Sequence, residues 1–260
     1  MILSRRVSLH GVQLDEVHSA VIIRSVDPGT PKETLNAVSP GAGAGQRITK
    51  QHYTVLEAKV TYAIDLPKTD LAARRAVFDA VNAWAAAKGW LTTNEMPGRR
   101  MHVDYVQVPS SGDLWEWTEE FTITFRAYAV PFWEDTATTT VTLTQGSTGS
   151  GSITIGGTTE SAGEATVQNK SGSTISTVSM TVNGHTMAFS GIGLANNGYL
   201  TIDHAFVGTS WVLRAKIGNT SVLKYRTGDD EFVLKPGSNS ISFTAGGSVI
   251  ATVSAKGRYL

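Results

Sequence analysis

The chain has 260 residues, with 22 basic and 22 acidic side chains and no cysteine. The balanced charge provides no electrostatic footprint for nucleic acid or an acidic membrane surface, and the missing cysteines exclude disulfides, thiolate nucleophiles and cysteine metal sites. The length suggests two domains, the apolar N-terminal run is too short for a signal peptide, and no segment approaches about 18 uninterrupted apolar residues, so we expect no membrane insertion.

The first 50 residues predict short strands and then a long connection. Short alternating apolar runs over residues 5–24 are typical of small strands. Residues 27–50 contain several prolines and the run GAGAG at 41–45. We expect an exposed, adaptable loop there. Its glycines do not predict a phosphate-binding loop, because GAGAGQ lacks the Lys-Ser/Thr ending and a following helix.

Three later segments alternate apolar and polar residues as half-buried strands do. They are residues 56–64, residues 101–105 and residues 121–127, and Tyr105 is predicted to face inward with its segment. One apolar face per strand requires a partner layer. We therefore expect a mainly antiparallel sheet covered by the one helix of this half.

That helix is predicted over residues 69–88. Apolar side chains recur there at steps of three and four residues, which places Leu71 on the buried face and Arg74 on the exposed face. Thr69 is the predicted N-cap, and Lys88 followed by Gly89 is the predicted C-terminal end. The helix is expected to lie on the sheet rather than on a membrane.

The strand pattern stops over residues 128–135, and the composition then changes sharply to threonine, serine and glycine. We therefore predict an N-terminal β domain with one helix over residues 1–135 and a second domain over residues 136–260. Pro131 ends strand pairing, and Phe132 and Trp133 follow it directly. These two aromatics are candidate residues of a domain or subunit interface, with packing onto their own domain as the equal alternative.

The second domain shows no helical periodicity and reads as strands with glycine-rich turns. Asn183-Gly184 is the strongest hairpin signal, and counting outward from it pairs Met180 with Met187 and Val178 with Phe189. Further short strands are expected around residues 200–217, 232–234, 241–243 and 249–253. This regular spacing predicts a β-sandwich.

No motif in the chain predicts catalysis or a bound cofactor. The six histidines have no metal-ligand spacing. Glu116 and Glu120 share a strand face beside Trp115 and Trp117, an arrangement that a glycosidase site would need, but a solvated strand has the same pattern. We therefore expect no enzyme activity, no metal and no cofactor.

The order of these segments resembles a known family. The strand LEAKVTYAI, the helix AVFDAVNAWAAAKGWL and the strand FTITFRAYAVPFWED, followed by a sandwich with EFVLKPGSNSISF and VIATVSAKGRYL, look like the distal tail proteins of long-tailed, siphovirus-type phages. The resemblance covers nearly the whole chain. It implies a C-terminal sandwich of the galectin-like or carbohydrate-binding-module-like kind. The chain departs from the family pattern in reading Val-Pro-Phe-Trp after the last strand of the first domain and in lacking a large insertion.

The resemblance implies a structural protein of the phage particle. Such a hub is a hexameric ring at the tail tip that joins the tail tube protein to the tail-tip or baseplate hub and to receptor-binding proteins, and it assembles in the host cytoplasm. Arg47, at the end of the glycine-containing loop, joins Phe132 and Trp133 as a candidate interface residue. The alternative is a carbohydrate-binding, adhesin-like tail protein in which Tyr199, Trp211 or Tyr225 stacks on a host glycan.

Overall fold

The computed structural model describes residues 5–38, 47–110, 120–207, 210–229 and 232–260, with the side chains of 36–38, 47–52, 205–207 and 210–211 left out of the description. These residues are mainly β-strands, with two α-helices and one short 3-10 helix, which confirms the expected fold class. Contacts divide the chain into two compact units, Met1–Glu134 with Leu260, and Asp135–Tyr259. No helix within the described ranges is long and apolar enough to span a membrane.

The first unit contains two antiparallel sheets. Its elements are β1 (Val7–Leu9), β2 (Val12–Gln13), α1 (Leu14–Val17), β3 (Val21–Asp27), β4 (Pro31–Val38), β5 (Arg47–Ile64), α2 (Leu71–Ala86), β6 (Gly89–Thr93), β7 (Arg99–Val103), β8 (Tyr105–Gln107), β9 (Glu120–Ala127) and the start of β10 (Trp133–Asp135). One sheet has the order β2-β1-β6-β7. The other has the order β3-β5-β9-β8, with β4 also paired to β5.

The core of the first unit lies between α2 and the sheet of β5 and β9. The predicted inward residues of both strands are buried, as the alternation required. From α2, the ring of Phe78 packs edge-on against Phe121 with centroids 5.5 Å apart, and Trp84 meets Phe125 in the same way at 6.0 Å. Burial of these aromatic side chains stabilises this unit.

The predicted helix is confirmed as α2, but its end residues differ from the prediction, and two of its side chains have the opposite burial. Asp70, not Thr69, is the N-cap, since its Oδ1 accepts from the Ala73 N–H at 3.0 Å. At the C-terminal end both Lys88 and Gly89 have positive φ, and Gly89 also begins β6. Arg74 is only 4% exposed and donates to the carbonyls of Ile64 and Leu66, whereas Leu71 is exposed. The prediction for both side chains was wrong, because the carbonyls at the end of β5 need donors.

The predicted loop over residues 27–50 is largely a hairpin. Strand β4 pairs with β5 from Pro31 opposite Leu56 to Val38 opposite Arg47. A tight turn precedes it, in which the Gly29 N–H donates to Asp27 Oδ1 at 2.9 Å and Gly29 has a positive φ. The loop prediction was wrong because β5 continues far beyond the segment that shows apolar alternation. The GAGAG run at 41–45 lies outside the described residues.

Two smaller expectations in the first unit also failed. Residues 14–17 form the short helix α1 within a segment expected to hold only strands. Tyr105 is exposed rather than inward, because the chain bends at Asp104 and starts the separate strand β8. At this bend Asp104 Oδ2 accepts from the N–H groups of Tyr128 and Ala129 at 2.7 and 2.8 Å. That local hydrogen bonding overrides the sequence alternation.

The second unit consists of strands around one core. Its elements are β11 (Thr139–Thr142), β12 (Gly146–Ile155), β13 (Ser161–Ala162), β14 (Glu164–Asn169), β15 (Ile175–Val182), β16 (His185–Leu194), β17 (Tyr199–Val207), β18 (Ser210–Ile217), β19 (Thr220–Ser221), the 3-10 helix Leu223–Tyr225, β20 (Arg226–Gly228), β21 (Val233–Leu234), β22 (Gly237–Ala255) and β23 (Arg258–Tyr259). Inward residues of β14 and β17 share one apolar cluster with those of β15 and β16. This arrangement is the expected sandwich.

One long strand connects the two layers of this sandwich. Strand β22 was expected as two separate strands, but it continues through Gly246 and Gly247. Its first half pairs with β12 and β15, and its second half pairs with β11 and β14. The sequence did not show this continuity, because the pairing partners that keep the strand extended through the two glycines are distant in sequence.

The hairpin of β15 and β16 has the predicted register. Val182 pairs with His185, Met180 with Met187 and Val178 with Phe189. Asn183 and Gly184 both have positive φ, as the two-residue turn requires. The local turn signal and the burial pattern therefore agree with the tertiary structure.

Candidate functional site

The described carboxylates and histidines form no metal-binding cluster. Within the described ranges, no group of three or more His, Asp and Glu side chains is arranged to hold a metal ion. Glu116 lies outside the described residues, and its predicted partner Glu120 is exposed at the start of β9. Beside it, Lys59, Gln107 and Thr122 help to line a cavity of about 520 Å³. Among the lining residues that the structure describes, Glu120 is the only carboxylate.

An ion cluster occupies the outer face of the sheet formed by β5, β8 and β9. Glu57 Oε1 accepts from Lys32 Nζ at 2.9 Å and from Arg126 Nε at 3.1 Å. The hydrogen bond from Lys32, more than that from Arg126, holds the pKa of the Glu57 carboxyl below its usual value. Arg126 also donates to Gln107 Oε1 at 3.2 Å. The single carboxylate of Glu57 thus links two cationic side chains, one from β4 and one from β9, across the face of β5.

The two aromatic residues predicted at an interface have contacts within the first unit. Trp133 is 1% exposed in a single chain, and its Nε1 donates to the Pro28 carbonyl at 3.0 Å. Phe132 is half-buried and meets Tyr53 edge-on with ring centroids 5.3 Å apart. Arg47 begins β5, but its side chain lies outside the description. The two aromatic contacts lie within the first unit and favour packing onto their own domain, while an interface role stays a prediction.

The two described candidate glycan-stacking residues, Tyr199 and Tyr225, lie on different elements of the second unit. Tyr199 begins β17, is 50% exposed, and pairs with Gln168 of β14. Tyr225 ends the 3-10 helix, is 36% exposed, and lies beside Gly191 of β16 in the other layer. The side chain of Trp211 lies outside the described residues. A stacking platform built from these tyrosines together is therefore not present.

Sequence reasoning missed an uncharged surface on the second unit, which we call the hydroxyl face. It is the outer side of β12, the first half of β22, β15 and β16. Ser242 lies between Ser150 and Thr181, and the hydroxyls of Thr181 and Thr186 are 2.8 Å apart. The face comprises Thr148, Ser150, Ser152, Thr154, Ser238, Ser240, Ser242, Thr244, Thr177, Ser179, Thr181, Thr186, Ala188 and Ser190. Each strand shows the alternation in sequence, but only the pairing aligns the rows.

An ion pair connects two strands of the other layer. Arg214 of β18 donates to both carboxylate oxygens of Asp203 on β17, at 2.7 and 2.6 Å. This bidentate hydrogen bonding raises the pKa of Arg214. The neighbouring His204 is half-buried, and burial lowers the pKa of its imidazole. Asp203 and Arg214 thus form an ion pair between directly opposed residues of β17 and β18.

Comparison with known proteins identifies the fold. No protein-family model matches the chain, and no curated protein matches its sequence. The crystal structure of the SPP1 Dit protein, described as a paradigm of the hub adsorption apparatus in phages that infect Gram-positive bacteria, is similar with a TM-score of 0.65 and 15% identity, over 97% of this chain and 98% of that chain. This likeness confirms that both units have the fold expected from the resemblance to distal tail proteins.

Two baseplate structures show weaker likeness. They are the phage P2 baseplate in its activated conformation with Ca, at a TM-score of 0.42 and 10% identity, and with Sr, at 0.43 and 11% identity. Each comparison covers 97% of this chain and 97% of the other. These TM-scores are too low to establish a common fold.

Proposed function

We propose that this protein is the distal tail hub of a siphovirus-type phage, a structural component of the tail tip. The observation that supports the proposal is the fold shared with the SPP1 Dit protein over 97% of the chain, which includes both units. In this role six copies form a ring that joins the tail tube protein to the tail-tip or baseplate hub and to receptor-binding proteins. The ring assembles in the host cytoplasm and needs no enzyme activity or cofactor.

The two domains have different tasks in this proposal. The N-terminal domain, residues 1–135, closes the ring, and the sandwich, residues 136–260, is the platform for other tail proteins. A ring of identical subunits requires two different complementary surfaces on each copy. Rigid units suit that geometry, and the core around Phe121 and Phe125 makes the first unit rigid. Arg47 and the half-buried Phe132 are the proposed contact residues, whereas Trp133 supports the domain from inside.

The ring gives the direct test of the proposal. We expect the purified full-length chain to have six times the monomer mass, alone or with its tail tube protein, and to show six-fold rings by electron microscopy. Native mass spectrometry and light scattering measure the mass. A chain that stays monomeric at high concentration in both conditions, and is missing from purified tails, contradicts the proposal.

The competing adhesin hypothesis depends on the two exposed tyrosines. Under the hub proposal, Tyr199→Ala and Tyr225→Ala leave phage adsorption to host cells unchanged. If either ring stacks on a glycan, its removal weakens adsorption by about tenfold or more, equivalent to about 1.4 kcal/mol. Tyr199→Phe and Tyr225→Phe are matched controls that keep the ring. Loss of adsorption with alanine but not with phenylalanine favours the adhesin.

A further inference from the structure

Strand β12 is an unusually long free edge on the second unit. It has ten residues, Gly146–Ile155, and pairs along one side with β22. Among the described residues, no strand pairs with its other side. Ser150, Ser152 and Thr154 are all exposed. A strand edge carries main-chain N–H and C=O groups that pair readily with another extended chain.

This edge lacks the features with which proteins usually protect such strands. Its sequence, GSTGSGSITI, contains no charged residue and no proline. Other edge strands in the described part of the chain differ. Strands β2 and β19 have two residues, and β8 and β20 have three. Strand β3 carries Arg24 and a bulge after Ile23, and β4 begins Pro-Lys-Glu. Protection is therefore present at these edges and missing at β12.

The side chains on the two faces of β12 also leave its free edge accessible. Toward the core, a Cβ at Gly151 would lie 2.6 Å from Leu143 Cδ2, and the ring of Phe243 occupies the same space at Gly149. Toward solvent, β12 carries the first row of the hydroxyl face. An added strand would meet backbone and short uncharged side chains, so no charge would lose its hydration. The surface suits an uncharged extended segment.

We propose that the free edge of β12 binds an extended segment of a different tail protein by strand addition. Ten paired residues correspond to about 33 Å of strand, enough for several main-chain hydrogen bonds. That the occupant is a tail protein rests on the proposed hub function. The neutral residues of β12 and the adjoining hydroxyl face select a segment without charged side chains at the contact.

A second copy of this chain fits the edge less well. Head-to-tail pairing in a ring requires a second, different edge on each subunit. The edges compared above are too short or carry charge or proline. Among the edges compared, this leaves β12 against β12, which is a two-fold contact that ends at two copies and does not close a ring. The edge is therefore left for another protein.

Lysines on the edge test this inference. We expect Ser150→Lys with Ser152→Lys to reduce the amount of one other tail protein per hub by about tenfold, since edge lysines oppose strand addition. Thr177→Lys with Ser190→Lys is the matched control, because these exposed residues pair with each other on the same face, away from β12. Mass spectrometry of purified tails measures composition, and circular dichroism verifies that both variants fold.

Amide hydrogen exchange provides an independent measurement. In assembled wild-type tails, we expect exchange over residues 147–154 to be slower by about tenfold or more than in the isolated protein. Three results would overturn the inference. They are unchanged exchange in the tails, the same tail composition for both lysine variants, and cross-linking of Ser152→Cys to a second copy of the chain. If the wild-type chain is missing from tails, the hub proposal fails instead, and the two failures are thereby distinguished.

Discussion

Replacing Trp133 by alanine is expected to destabilise the first unit by about 3–5 kcal/mol. The side chain is 1% exposed, so its removal leaves a large cavity, and the Pro28 carbonyl loses the hydrogen bond from the indole Nε1. A loss of this size is a large fraction of the stability of an ordinary domain. Denaturant unfolding of the full-length chain, followed by tryptophan fluorescence and circular dichroism, measures the shift of the transition.

Two control variants separate packing from assembly. Trp133→Phe keeps much of the apolar volume and is expected to cost less than the alanine variant. Phe132→Ala removes a half-buried ring whose described contact is with Tyr53, so we expect about 1 kcal/mol. If Trp133→Ala unfolds like the wild-type chain but fails to enter tails, Trp133 belongs to a subunit contact and its assignment to the domain core is wrong.

Asn239→Ala is expected to destabilise the sandwich by roughly 3 kcal/mol, because each buried group left without a partner costs about 1–3 kcal/mol. Asn239 is fully buried at the end of the segment LKPGSN. Its Nδ2 donates to the carbonyls of Lys235 and Gly237 at 2.8 and 3.0 Å. Its Oδ1 accepts from the Lys235 N–H at 2.8 Å and from Asn183 Nδ2 at 2.7 Å. One side chain thus connects this turn to the β15–β16 hairpin.

The matched control is Asn196→Ala. Asn196 is exposed, and its Oδ1 accepts from the Gly172 N–H at 3.1 Å. Water replaces that hydrogen bond after truncation, so we expect a loss of about 1 kcal/mol or less. Calorimetry of both variants gives the comparison. Equal unfolding temperatures for the two alanine variants would show that the network around Asn239 does not stabilise the sandwich.

Local signals in the sequence were sufficient for several elements. The Asn183-Gly184 turn defines its own register, because both residues adopt positive φ readily and the flanking alternation buries only one face. The periodicity of apolar residues likewise predicted the inward faces of β5 and β9 and the presence of α2. Each of these depends on interactions between residues close in sequence or on a simple period. The mainly β class and the sandwich follow from them.

The candidate surfaces depended on partners that are distant in sequence. Ser150 lies level with Ser242 and Thr181 only because β22 pairs with β12 on one side and β15 on the other. The sequence of β12 alone does not show that one of its two edges has no strand partner among the described residues. The uncharged composition was visible, but its position at an edge was not.

The sequence alone determined the strands with clear alternation, the hairpin turn and the helix, because backbone geometry and side-chain period act locally. The tertiary structure decided that Arg74 is buried, that residues 31–38 pair with β5, and that Trp133 belongs to a core. In each case a group outside the residue's own element supplies the reason: the Ile64 and Leu66 carbonyls, the extended backbone of β5, and the Pro28 carbonyl. Buried donors and acceptors must find partners, and those partners exist only once the chain has folded.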